Sequence, residues 1–377
     1  MRVQEAVSEI KQAARQDFVL GAEGAVLLLE RLSPALENVD SSSGAIGTAV
    51  NTAIEALVPI IAGAAAAEPL RESWLERLWQ AVEEDEMSYL DLLPDYWGEL
   101  CATPEGASRW ADRFIDTVRL AWRPNAESYG YFKGTAACLS ALFAAGRHEE
   151  LLRLLELAPY KTWTYRQWGV KALNAQGKRA AALRYAEESR GLNDSPTPIA
   201  EACEEILLAS GLAEEAYKRY ATAANQKSTY LATFRAIAKK YPHRPPGAIL
   251  SDLVASTPGD EGKWFAAAKA AGLYQEAIDL ARRSPCDPRT LSRAARGMAD
   301  REPAFALEAG MAALHWLAAG YGYDITSEDV RAAYHHTMAA AERMGRKADT
   351  AERIRKLLAE ESTGNRFMAQ VLAPALE

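Results

Sequence analysis

A glycine that returns at the spacing of a helical repeat is the feature that most narrows what these 377 residues can fold into. The instances are Gly146-Arg-His-Glu-Glu-Leu151-Leu152, Gly177-Lys-Arg-Ala-Ala-Ala182-Leu183, Gly211-Leu-Ala-Glu-Glu-Ala216-Tyr217, Gly272-Leu-Tyr-Gln-Glu-Ala277-Ile278 and a weaker Gly345-Arg-Lys-Ala-Asp-Thr350-Ala351. The intervals are 31, 34, 61 and 73 residues, so the last two each hold one divergent unit, around Pro242 to Pro246 and around Glu302-Pro303. This period predicts a helix-turn-helix solenoid. Glycine accepts the left-handed conformation that closes a helix, and the usually small residue at +5 lets the second helix approach the first.

Composition points the same way, because alanine makes up about a fifth of the chain, β-branched residues are sparse and no long stretch alternates apolar with polar. The fold class expected is all-α. Breakers separate periodic segments of about 11 to 20 residues: Ser41-Ser42-Ser43-Gly44, Glu68-Pro69, Thr103-Pro104, Arg123-Pro124-Asn125, Ala158-Pro159, Ser195-Pro196, Thr257-Pro258-Gly259 and Asp287-Pro288. Ser, Thr or Asp before Pro supplies an N-cap acceptor followed by a residue already fixed near helical φ. In the segment 273–283, Leu273, Ala277, Leu280 and Ala281 share one face while Gln275, Glu276, Asp279, Arg282 and Arg283 share the other.

Gly272-Leu-Tyr274-Gln-Glu-Ala277 and Gly211-Leu-Ala213-Glu-Glu-Ala216 resemble the second-helix opening of tetratricopeptide repeats (TPR), although most of that consensus is missing, so the units are TPR-like. A longer resemblance covers most of the chain. PALENVDSSSGAIG (34–47) and the run from Pro245 to Thr326, with GKWFAAAKAAGLYQEAIDLARRSPCDP and ALEAGMAALHWLAAGYGYDIT, look like an uncharacterised family of bacterial helical-repeat proteins. Some relatives in that family carry a SWIM-type zinc finger. Here no CxC followed by CxH occurs, so the resemblance implies the fold and no activity.

Residues 1–125 lack the glycine period, which predicts an N-terminal helical subdomain followed by TPR-like repeats over 126–377. Between about residues 60 and 105, eleven acidic residues, Glu83-Glu84-Asp85-Glu86 among them, face only Arg71 and Arg77, so an acidic face is expected there. The net charge of −8 argues against wholesale binding of nucleic acid or anionic lipid. Cys101, Cys138, Cys203 and Cys286 are widely spaced with no CxxC pair, which predicts neither disulfides nor a zinc knuckle and fits a cytoplasmic protein. The most apolar stretch, Leu57 to Ala67, is short for a membrane span, and MRVQEAVSEIKQAARQ has no export-signal core, so no membrane association is expected.

Catalytic spacings are missing: GxSxG, GxGxxG and HExxH do not occur, and Gly177-Lys178 and Gly262-Lys263 lack the rest of a phosphate-binding loop. No catalytic residue, cofactor or metal is predicted. His335 and His336 point about 100° apart on a helix, poor geometry for a shared metal, which leaves an exposed helix face or a contact to a ligand. Thr326, Ser327, Glu328 and Asp329 read as a capping arrangement, and Trp316, Tyr321 and Tyr323 as packing or a ligand shelf.

The most unusual composition runs from Tyr160 to Gly191, where seven cations oppose only Glu187 and Glu188. Tyr160, Lys161, Trp163, Tyr165, Arg166, Trp168 and Lys171 interleave aromatics with cations, and Arg235, Lys239, Lys240 and Arg244 follow about two repeats on. Equivalent faces of successive repeats line one surface, so these residues are the candidate partner-binding set, against the plainer reading of bridging aromatics and ordinary surface charge. The functional expectation is a non-enzymatic scaffold that binds a protein partner, such as an acidic peptide. The alternative is a helical-repeat nucleic-acid binder using the same basic-aromatic surface.

Overall fold

In the computed structural model, residues 2–37, 44–123, 130–191, 194–359 and 366–376 are described; Ser41 to Ser43 and Pro124-Asn125 of the expected breakers lie outside them. The fold is all-α, of the TPR-like helical-repeat class, with no strand among the described residues. Two compact units follow one another along the chain, residues 1–212 and 213–377.

Unit 1 opens with α1 (Arg2–Gln16), α2 (Phe18–Leu36), α3 (Ala45–Gly63) and α4 (Glu68–Glu84), followed by a 3-10 turn (Leu93–Tyr96), the short α5 (Trp97–Leu100) and α6 (Pro104–Ala121). It continues through α7 (Thr135–Ala144), α8 (His148–Glu156), α9 (Trp163–Ala175), α10 (Arg179–Glu187) and α11 (Pro196–Ala209). One hydrophobic core runs from Val7 to Ala172. Its centre is aromatic: Trp79 meets Phe114 at 4.5 Å between ring centroids, and Trp97 meets Trp110 at 5.1 Å. Helix α3 is apolar enough and, at 19 residues, long enough to cross a membrane, longer than the Leu57–Ala67 stretch suggests; Val50, Ala53, Ile54, Leu57, Val58 and Ile61 are buried within the unit.

Polar nodes are built into this core. Arg71 is buried, and its guanidinium donates to the carbonyls of Ile61 (3.0 Å), Ala64 (2.5 Å) and Leu100 (3.1 Å), so it closes the C-terminal end of α3. Arg77, the other cation of the acidic stretch, bonds Glu23 (2.6 Å) and Glu30 (2.8 Å) on α2. Asp85, in the middle of the acidic run, is buried and accepts from Ser33 Oγ (2.6 Å) and the Leu90 amide (2.6 Å). Glu83, Glu84 and Glu86 remain exposed.

Unit 2 contains α12 (Ala213–Ala224), α13 (Tyr230–Lys240), α14 (Pro246–Ala255), a 3-10 turn (Glu261–Trp264), α15 (Phe265–Ala270), α16 (Tyr274–Arg283), α17 (Pro288–Met298), α18 (Pro303–Ala318), α19 (Ser327–Arg343), α20 (Lys347–Ala359) and α21 (Phe367–Leu376). The two divergent repeat turns expected from the spacing join α13 to α14 and α17 to α18. First helices pack on first helices, α13 on α15 and α17 on α19; second helices do likewise, α16 on α18 and α18 on α20. Alanines such as Ala277, Ala281 and Ala295 line this interior between buried aromatics such as Tyr241 and Phe265. A Cβ at Gly310 would fall on the Thr337 hydroxyl, so α18 and α19 cross at a distance only glycine permits.

The five repeat glycines share one conformation, with φ between 67° and 75°. At each, the following amide reaches back five residues to a carbonyl, as in Arg147 to Leu142, Lys178 to Leu173, Leu212 to Leu207, Leu273 to Ala268 and Arg346 to Ala341, at 2.8 to 3.0 Å. This is the Schellman turn, and it satisfies carbonyls that a helix end leaves unpaired. The +5 residues Leu151, Ala182, Ala216, Ala277 and Thr350 are all fully buried. Thr103, Ser195 and Asp287 accept amide hydrogen bonds as N-caps ahead of proline, and Thr326 with Asp329 forms a reciprocal capping box.

Candidate functional site

The two halves of the basic-aromatic set lie in different compact units, Tyr160 to Lys171 in the first and Arg235 to Arg244 in the second. In unit 1 they surround the start of α9. The Trp163 amide donates to Asp194 Oδ2 (2.8 Å), which also accepts from the Gly191 amide (2.9 Å), so a carboxylate from a following loop caps the helix. Tyr160 and Lys161 are exposed, Trp163 and Tyr165 half-buried, and Trp168 buried. Arg166 lies over the Tyr185 ring at 3.8 Å and donates to Ser189 Oγ (2.8 Å), which fixes its guanidinium against α10.

Lys171 stands one turn beyond Trp168, and its ammonium sits 3.9 Å from the centre of that indole. The spacing i, i+3 puts both on one face of α9. Burial lowers the ammonium's pKa, while Asp95 and Glu205 act in the opposite sense. Asp95, in the 3-10 turn before α5, has its carboxyl pushed up by burial to about 6, with Lys171 pulling it down. Its Oδ1 is buried without a hydrogen-bond partner among the described residues, as is the Trp168 indole N–H. The Asp95 carbonyl accepts from Ser140 Oγ (2.8 Å), whose oxygen in turn accepts from the Gly98 amide (3.0 Å), so the aspartate is held from α7. Burial raises the Tyr165 hydroxyl's pKa, with Tyr131 and Asp95 adding to it; Tyr131 itself is 76% exposed. Asp95 and Tyr131 are the residues sequence reasoning missed, and no local signal marks either.

In unit 2, Arg235, Lys239 and Lys240 are exposed on α13. Arg244 is drawn inward: it bonds Glu214 Oε2 (2.6 Å), lies 3.7 Å above the Tyr217 ring and approaches Asp252 (3.6 Å). Tyr217 completes the knot through its hydroxyl, which donates to Asp252 Oδ2 (2.8 Å). Among the described residues, no group of three His, Cys, Asp or Glu side chains is arranged to hold a metal ion.

No family model matches the sequence, and no curated protein does. Among solved structures, the crystal structure of the APC/C hetero-tetramer Cut9–Hcn1 is similar at 14% identity, covering 95% of this chain and 76% of that chain, with a TM-score of 0.23. The helix pairs and their glycine turns, not this likeness, carry the fold.

Proposed function

We propose that the chain is a non-enzymatic scaffold that binds a segment of a protein partner on the α9 face of unit 1. The observation that supports it is the aromatic-cationic start of α9, where Tyr160 and Lys161 are exposed, Trp163 and Tyr165 are half-buried, and the Lys171 ammonium lies 3.9 Å from the Trp168 ring centre. Lys171 and Lys161 favour acidic side chains on that segment, and the half-buried Trp163 and Tyr165 supply an aromatic anchor. Four free, buried cysteines fit a reducing cytoplasm.

A fluorescent acidic peptide carrying one aromatic residue, titrated at two salt concentrations, tests this reading. Binding is expected to weaken modestly with salt and strongly in Trp163→Ala. A labelled oligonucleotide serves as the competing probe. Tight, steeply salt-dependent oligonucleotide binding that is lost in Lys239→Glu with Lys240→Glu overturns the protein-partner reading in favour of nucleic acid.

A further inference from the structure

Helix α17 gathers three arginines, of which only Arg296, in the last turn, sits where the helix dipole favours a cation. Arg289, Arg293 and Arg296 recur at i, i+4 and i+7, so all three project from one face, and stacked like charges at that spacing cost about 0.2 to 0.5 kcal/mol per pair. Arg289 also sits in the first turn, the positive end of the helix dipole. This face lines a cleft of about 390 Å³ whose other wall includes His336 of α19 and Tyr323 of the loop before it. That volume falls within the ~300 to 1,000 Å³ of small-ligand sites.

Both carboxylates of the cleft are already committed. Asp329 takes Arg289 in a two-pronged pair, 2.8 Å from Nε and 2.9 Å from Nη2, while Arg289 Nη2 also donates to the Asp324 carbonyl (2.7 Å) and so pins the loop beside Tyr323. Asp287 caps α17, accepting from the Arg289 and Thr290 amides and the Thr290 hydroxyl. What remains is cationic. Arg293 makes only hydrogen bonds to Arg289 O (3.2 Å) and Thr290 Oγ1 (3.1 Å), with Asp287 4.0 Å away, and Arg296 makes no hydrogen bond or ion pair among the described residues. His336 is half-buried beside that charge, its pKa lowered by burial and then by Arg296 and His335.

We infer that this cleft receives a phosphomonoester group, held by Arg293 and Arg296 with His336 and the Tyr323 hydroxyl opposite. Charge and donor count select the ligand. A carboxylate brings one charge and two oxygens, which a single arginine already satisfies in the Arg289–Asp329 pair, whereas a phosphomonoester brings about −1.5 to −2 charges and three oxygens to match two guanidiniums and further donors. The face stays open to solvent at Tyr323, which is 84% exposed, leaving room for the rest of an ester. This inference is independent of the protein-partner reading, which rests on unit 1, so Trp163→Ala leaves it untouched.

The test titrates inorganic phosphate, a short phosphoserine peptide and the same peptide with glutamate at that position, following the His336 ring signals by NMR and affinity by calorimetry. The phosphorylated probes are expected to shift His336 and to bind at least about tenfold more tightly than the glutamate peptide, and Arg296→Gln to weaken them by about tenfold or more. Phosphate and phosphopeptide of equal affinity support a free or small phosphate as the source, and a tighter phosphopeptide supports a phosphorylated segment. No binding, equal binding of the glutamate peptide, shifts that leave His336 unmoved, or an Arg296→Gln variant that binds like the parent while retaining the parent's circular dichroism each overturns the inference.

Discussion

Unit 1 buries charged side chains, Arg71, Asp85 and Glu204, beside aromatics such as Trp74, Trp97 and Trp110, whereas unit 2 also buries aromatics such as Tyr241 and Phe265 but, among the described residues, its buried polar side chains are neutral, as at Thr337 and Thr350. Its strong electrostatics sit nearer the surface, in Arg282 and Arg353 on Glu308 and in Arg289 on Asp329. The contrast follows from geometry. The end of α3 leaves carbonyls inside unit 1 that the Arg71 guanidinium satisfies, whereas the glycine turns at Gly272 and Gly345 in unit 2 satisfy theirs with backbone amides, so unit 2 depends on repeated nearest-neighbour contacts.

The largest effect expected is on the polar node of unit 1. Arg71→Met leaves the carbonyls of Ile61, Ala64 and Leu100 buried without their donor, at a cost of about 3 to 5 kcal/mol. Urea unfolding followed by tryptophan fluorescence reads this unit, since seven of the nine tryptophans lie before residue 213. An unchanged midpoint breaks the contrast at its root.

Next in size is overpacking in unit 2. Ala277→Leu is expected to cost about 1 to 3 kcal/mol, with loss of hydrogen-exchange protection confined to unit 2. A melt matching the parent within error contradicts the repeat register.

Acid should act on Asp95 and Asp329 with opposite sign. Asp95 ionises at about 6 in the folded state against ~3.9 unfolded, so its contribution to stability is lost as pH rises through that window and regained on mild acidification. Asp95→Asn is expected to stabilise at about pH 7 by on the order of 1 to 2 kcal/mol, discounted for partial exposure, and to change nothing near pH 4. Asp329 behaves the other way: the Arg289 hydrogen bond and then the Thr326 amide hold its carboxyl well below the usual range, so its contribution is present above ordinary carboxylate pKa values and lost below them. Melts of Asp95→Asn and Asp329→Asn whose differences from the parent change with pH in the same direction contradict the assignment.

The smallest effect is a change in labelling. Burial pushes the thiols of Cys101 and Cys286 up to about 12, so both should react slowly with thiol reagents in the native protein. Arg71→Met should speed labelling of Cys101 and leave Cys286 protected, which mass spectrometry of the labelled peptides reads directly.

The fold was largely legible in the sequence, because a left-handed glycine and a Ser/Thr/Asp-Pro start are local requirements that leave local traces. Gly146 to Gly345 and Thr103, Ser195 and Asp287 behave as their spacing predicts. Charge was less readable. Arg166 and Arg244 look like free cations in the sequence, yet Tyr185 and Tyr217 hold them, and those contacts depend on which helices meet. Asp95 and Lys171 stand far apart in sequence and share a niche only after folding. The arginines of α17 share a face by local spacing in PRTLSRAARGM, but the wall opposite them, His336 and Tyr323, comes from other elements and leaves no trace in that segment.

At Gly146, Gly177, Gly211, Gly272 and Gly345 an added Cβ would meet nothing within 4 Å, so crowding does not exclude a side chain there. Handedness does. An L-residue at positive φ costs roughly 1 to 2 kcal/mol, whereas a D-residue prefers that region and would occupy the same open space without strain. A chain with D-alanine at these five turns would therefore keep every helix in place, and the repeat is punctuated by a demand for inverted chirality that glycine, having no stereocentre, meets by default.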